Sequence, residues 1–345
     1  MKIDKLKKLA KLLRYFILVS SSKAGSGHPT SSLSAVELLG TLLFGGFFRF
    51  DLKDKNNPYN DRLIFSKGHA SPLYYSLFAA AGTISEEELL TLRKFGSRLE
   101  GHPTMEFPYT EVPTGSLGQG LSAGLGMALN SKYLDKTNFR TFVLLGDSEM
   151  AEGSVWEAIQ IASFYKLDNL IGILDVNRLG QSRQTMLGHD VLSYQKKVAA
   201  FEWDTIVIDG NDLNQVIKAF EKAVKAKGKP VMIIAKTFKG KGVSFLEDKE
   251  NWHGKALGEK DLNLALEELG QIDKKLRGKI KLPRESGIKN KPAAYNLKPV
   301  TYSLGDLIAT RRAYGNALVR IFPKFPDMVV LDGETSNSTY SEFFA

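Results

Sequence analysis

Thr141-Phe142-Val143-Leu144-Leu145-Gly146-Asp147 and Leu170-Ile171-Gly172-Ile173-Leu174-Asp175-Val176-Asn177 are short apolar runs, each ending in polar residues. Residues 154–165, between them, read as a helix. The pattern repeats at residues 205–208 before Asp209-Gly210-Asn211 and at 231–235 before Lys236-Thr237, with a helix expected over 213–225. Strand alternating with helix predicts βαβ units and hence an α/β fold, a parallel sheet with helices on both faces. In such sheets ligands bind beyond the carboxyl ends of the strands, where these polar residues stand.

Upstream, Leu6, Leu9, Leu13, Phe16 and Ile17 recur at helical spacing opposite a basic face over residues 2–11. A turn-rich stretch, 20–29, leads to a second expected helix at 32–43. Downstream, residues 271–303 are basic, carry Pro283, Pro292 and Pro299, and lack apolar period. They read as a linker between a domain over 1–270 and the start of another over 304–345. That second segment offers a helix near 309–321 and a strand at 328–331 running into Asp332-Gly333-Glu334. One helix and one strand cannot bury a core, so the expectation is an incomplete α/β domain.

Hydrophobic residues make up 43% and charged residues 25%, a globular balance. No apolar run reaches the roughly 18 residues of a membrane span, and the N-terminus has no secretory pattern. With no cysteine, disulfides, thiolate nucleophiles and cysteine-held zinc are excluded. A cytoplasmic location is expected. The net charge of +9 could suit nucleic acid, an acidic membrane surface or small anionic substrates; much of the excess falls on the wet face of the first helix and on a linker, so nucleic acid and membrane partners are not expected.

Asp147 and Asn177 stand 30 residues apart at the ends of successive strands. A right-handed crossover puts both on one edge of the sheet, where their oxygens can converge on a hard cation. Magnesium takes such a set when phosphate oxygens complete it, and backbone N–H groups near Ser148 can hold a diphosphate. Four of the five histidines, His28, His69, His102 and His253, are flanked by glycine or serine, which lets backbone approach a ligand closely. Imidazole moves protons near neutral pH. His189 also follows a glycine, Gly188, but reads as an ordinary histidine.

Gly146-Asp147-Ser148-Glu149-Met150-Ala151-Glu152-Gly153-Ser154-Val155-Trp156-Glu157-Ala158, with Asp175-Val176-Asn177-Arg178-Leu179-Gly180-Gln181-Ser182, resembles the transketolases nearly residue for residue. Gly25-Ser26-Gly27-His28-Pro29-Thr30-Ser31-Ser32, Ser66-Lys67-Gly68-His69, Gly101-His102-Pro103, Thr114-Gly115-Ser116-Leu117-Gly118 and Asn251-Trp252-His253-Gly254 match further family segments. The resemblance implies thiamine diphosphate as cofactor. Asp147, Asn177 and the carbonyl of Leu179 would hold Mg2+, or another divalent ion such as Ca2+ or Mn2+. Ser31, His69, Gly115, Ser116, Leu117, Ser148, Asn177, Lys239 and His253 would contact the cofactor. His28, His102 and His253 would serve catalysis, and His28, His253, Arg311 and Ser338 would bind substrate.

The implied reaction moves a two-carbon ketol unit from a ketose phosphate to an aldose phosphate. By the same resemblance the complete protein is a homodimer with the site between subunits and Glu152 at the interface. The activating glutamate would lie beyond Glu342, so residues 1–345 alone are expected to be inactive. The family usually has glycine where this chain has Ser148. Two other readings share the motifs: a non-catalytic cofactor-binding subunit of a split enzyme, and a related enzyme such as dihydroxyacetone synthase.

Overall fold

Alternation along the strands builds two apolar faces, each of which must be covered. The computed structural model describes residues 3–285, 299 and 302–345. The chain divides into two compact units, Met1–Gly287 and Ile288–Ala345. In the first, α1 (Ile3–Ala24), α2 (Pro29–Leu33), α3 (Val36–Phe44), β1 (Arg62–Phe65), α4 (Ser71–Ala81), α5 (Glu86–Leu89) and α6 (Gln119–Leu129) come in turn. There follow β2 (Thr141–Gly146), α7 (Gly153–Phe164), β3 (Leu170–Val176), α8 (Val191–Ala200), β4 (Asp204–Asp209), α9 (Leu213–Ala223), β5 (Val231–Lys236) and α10 (Glu259–Leu269).

The five strands are all parallel, in the order β1-β2-β3-β5-β4. Phe142, Leu144, Ile171, Ile173, Val231 and Ile233 face a core shared with α1, α3, α4, α9 and α10. Their neighbours Val143, Leu145, Leu170, Leu174, Met232 and Ile234 face a second core under α6, α7 and α8. Both faces are covered, as the sequence pattern predicts. Each buried aliphatic side chain contributes about 1.5–3 kcal/mol, so the central strands anchor the unit.

Local differences have physical causes. Helix α1 buries Leu6, Leu9, Leu13, Phe16 and Ile17 as its period requires, but also Leu12, Arg14, Tyr15 and Leu18, so its second half is enclosed on all sides. The helix expected at 32–43 is broken between α2 and α3. Ser34 turns its hydroxyl to Asp175 (2.6 Å), and Ala35 leaves helical geometry at φ −99°, ψ 9°. The span 271–303 lies partly outside the described residues, namely 286–298, 300 and 301. Its described start is packed onto the first unit. Ile272, Leu276 and Ile280 lie against the core, Gly278 N–H donates to Ala80 O (2.9 Å), and Phe50 N–H donates to Lys281 O (2.8 Å). Sparse apolar residues suffice there because backbone hydrogen bonds hold the segment.

The second unit contains α11 (Thr310–Ile321) and the short α12 (Ser336–Thr339). Residues 328–331 are not a strand. Among the described residues no strand lies beside them to accept their hydrogen bonds.

Candidate functional site

The loops leaving β1, β2, β3 and β5 share one edge of the sheet, because parallel strands all end on the same side. They carry, in order, His69, Asp147, Asn177 and Lys239. Gly146 is paired with Asp175, so Asp147 and Asn177 emerge side by side rather than on opposite rims. The Asp147 carboxylate accepts N–H from Ser148 (2.9 Å) and from Arg178 (2.7 Å). The N–H of Leu179 reaches the Asn177 side-chain oxygen at 3.3 Å.

Asp147 is buried at 5% exposure and makes no ion pair with a basic side chain among the described residues. Burial, reinforced by the nearby Asp175 charge, pushes its carboxyl up to about 6. A buried carboxylate with no direct ion pair, an amide oxygen and the Leu179 carbonyl form a hard-oxygen set suited to a divalent cation. One cation of the chain already stands there: Lys239 Nζ donates to Leu179 O (2.7 Å) and Gly180 O (3.1 Å). Burial first, then the Lys67 charge, lowers its ammonium to about 8. No group of three or more His, Asp or Glu side chains among the described residues is placed to hold a metal. Any ion at this edge therefore depends on backbone and amide oxygens beside the single Asp147 carboxylate.

From Lys239 the site continues through a row of imidazoles. Lys239 Nζ donates to His253 Nδ1 at 2.8 Å, since an ammonium can only donate. His253 stands edge-on to His28 with centroids 4.9 Å apart, His28 to His69 at 4.7 Å, and His69 to His102 at 4.5 Å. Burial, followed by repulsion among the rings, lowers His28 to about 3. Burial and Lys239 lower His253 to about 4, and burial lowers His69 and His102 as well. All four are neutral at pH 7. A Cβ on Gly115 would sit 2.9 Å from the His102 ring, so Gly115 closes the row's far end. Ser116 and Leu117 follow, exposed.

Ser31 is buried, and its carbonyl takes the Lys67 ammonium at 2.9 Å. Ser148 is exposed and avoids the left-handed backbone that only glycine adopts freely, so the turn accommodates its side chain. Glu152 is exposed at the N-terminus of α7. His189 stands outside the row, its Nε2 2.8 Å from Thr237 O. In the second unit Arg311 is exposed over the Tyr340 ring (5.9 Å), and the exposed Ser338 hydroxyl donates to the Asn337 side chain (3.4 Å).

Two features were not read from the sequence. Lys67 and Asp175 form a buried ion pair at 2.6 Å, with Ser34 and Thr237 hydroxyls on the same carboxylate. The signal for it was an aspartate inside an otherwise apolar strand. Arg178 adopts φ 63° and donates from Nε and Nη2 to the two carboxylate oxygens of Asp248 (2.7 and 2.9 Å). This ties the loop after β3 to the loop carrying Lys239 and His253.

Residues 5–284 match the family model described as transketolase, thiamine diphosphate binding domain. The chain is 46% identical to human transketolase over 99% of its own length and 55% of the relative's. It is 45% identical to mouse transketolase-like protein 2, over 98% and 54%. Among solved structures, transketolase from Leishmania mexicana superposes with a TM-score of 0.84 at 25% identity, covering 97% of this chain and 56% of that one. Transketolase from Campylobacter jejuni gives 0.74 at 33%, covering 81% and 45%. The chain thus spans about half the length of the curated relatives it matches.

Proposed function

The chain belongs to the transketolase family, and from that premise we propose that it supplies the diphosphate and metal half of a transketolase site. The observation that carries this reading is the continuous arc from Asp147 and Asn177 through Lys239 to four neutral imidazoles. Asp147, Asn177 and Leu179 O would hold Mg2+, or Ca2+ or Mn2+ in its place. Lys239, His69, His253, Ser31 and the Ser148 N–H would receive the diphosphate. Gly115, Ser116 and Leu117 would meet the rings of thiamine diphosphate. Thiamine diphosphate, when bound, supplies the carbon that takes up and releases the two-carbon unit.

The protein's own groups do the rest. His28, His102 and His253 are placed to hold the hydroxyl and carbonyl oxygens of a ketose donor and an aldose acceptor. Burial lowers all three, and His28 at about 3 and His253 at about 4 are poor bases as they stand. Phosphate oxygens beside the row favour the charged form and raise them toward neutrality, where imidazole exchanges protons efficiently. Arg311 and Ser338 would contact the sugar phosphate. Ile161, Phe164 and Tyr165 on and beside α7 are exposed, Phe164 at 77%, which supports pairing with a second copy near Glu152. The domain boundaries proposed are 1–270, 271–303 and 304–345, in a cytoplasmic protein.

Calorimetry tests the reading. Thiamine diphosphate with Mg2+ should raise the melting temperature of the chain by several degrees, and Asp147→Ala should abolish the rise. Unchanged melting of the unsubstituted chain would remove the assignment. Residues 1–345 alone should show little sugar-phosphate turnover, because the resemblance puts the activating glutamate outside them. Robust turnover in a coupled assay would refute that.

A further inference from the structure

Glu149, two residues past Asp147, is 1% exposed although charged. One carboxylate oxygen accepts from the Ser66 hydroxyl and from the Gly118 N–H at 2.8 Å. The other accepts from the Gly146 N–H at 3.1 Å. Ser66 Oγ itself accepts from the Gly120 N–H at 3.0 Å, so its own hydrogen is the one given to Glu149. Every partner donates, which is the environment of an ionised, acceptor-only carboxylate. A dipole role at a helix start would not need burial or three separate elements.

The three anchor points are informative. Gly118 and Gly120 open α6 directly after Gly115-Ser116-Leu117, Gly146 is the last residue of β2, and Ser66 follows β1. The fit leaves no slack: a Cβ on Gly120 would lie 2.4 Å from Ser66 Cβ, and one on Gly118 2.8 Å from Glu152 Cβ. We propose that Glu149 is a positioning residue that fixes the 115–118 segment against the Asp147 end of β2. It thereby sets the spacing between the ring-binding and diphosphate-binding parts of the cofactor site. The inference rests on the cofactor reading above.

Glu149→Gln keeps the shape but turns an amide N–H2 toward a backbone N–H, donor against donor. Hydrogen exchange and titration calorimetry on the 345-residue chain test it. Amides of residues 115–120 should exchange about tenfold faster in the variant, with those of 142–145 and 171–174 unchanged. Affinity for thiamine diphosphate with Mg2+ should fall about tenfold, while inorganic pyrophosphate with Mg2+ binds as before. Unchanged exchange at 115–120, equal losses for both ligands, or faster exchange throughout the sheet would overturn the proposal. If even the unsubstituted chain fails to bind thiamine diphosphate, the cofactor reading fails and the exchange arm still decides the clamp. Should Glu149→Gln not fold, Ser66→Ala serves: faster exchange confined to 118–120 is expected, and none would count against it.

Discussion

The imidazoles of His28 and His253 hold protons weakly, near 3 and 4 rather than 6.5, first because they are buried. Their folded pKa is depressed, so an unfolded chain takes up these protons first. The stability they contribute is complete above pH 6.5 and is lost as pH falls toward 4. Urea midpoints at pH 7.5 and 4.5 should therefore differ more for the unsubstituted chain than for His28→Gln. The excess should be about 1–2 kcal/mol, allowing for the ring's partial exposure. Equal pH dependence would show that the row is more open to water than its geometry implies. The four rings were legible in the sequence because a glycine adjoins each one within a segment that resembles those of the family. Glu149 and the Lys67–Asp175 pair were not, since their partners lie 83 and 108 residues away and spacing carries no trace of such distances.

Elements read well from sequence where both faces of a strand are apolar and the run is long, as in β2, β3 and β5. The edge strand β1, only four residues long, gave too short a run to recognise. Residues 328–331 have the composition of a strand but no partner strand among the described residues, and pairing rather than composition makes a strand. Helix α6 shows what glycine does at close range. A Cβ on Gly124 would meet Val143 Cγ2 at 2.6 Å, whereas Gly126 faces open space. Gly124→Ala should cost about 1–3 kcal/mol by forcing α6 off the sheet. Gly126→Ala should be neutral or stabilise by about 0.5–1 kcal/mol through helix propensity. Denaturant titration of both variants checks the pair, and equal effects would contradict the packing.

The two apolar cores of the first unit draw on residues between Leu6 and Leu269, with Ile272, Leu276 and Ile280 packed against one of them. A chain shortened to end at residue 285 should melt within a few degrees of the intact chain's first-unit transition. One ending at 270 should lose about 2–4 kcal/mol, the burial of those three side chains. Similar melts for both would mean that the strap 271–285 adds nothing. The salt link between Lys67 and Asp175 belongs to this scale too, because it joins the loop after β1 to β3 in the centre of the sheet. Removing either partner leaves a lone charge inside, at a cost of about 3–5 kcal/mol. A variant library sorted only for soluble expression would therefore keep both residues without any assay of turnover. Their persistence in such a pool would report on folding alone.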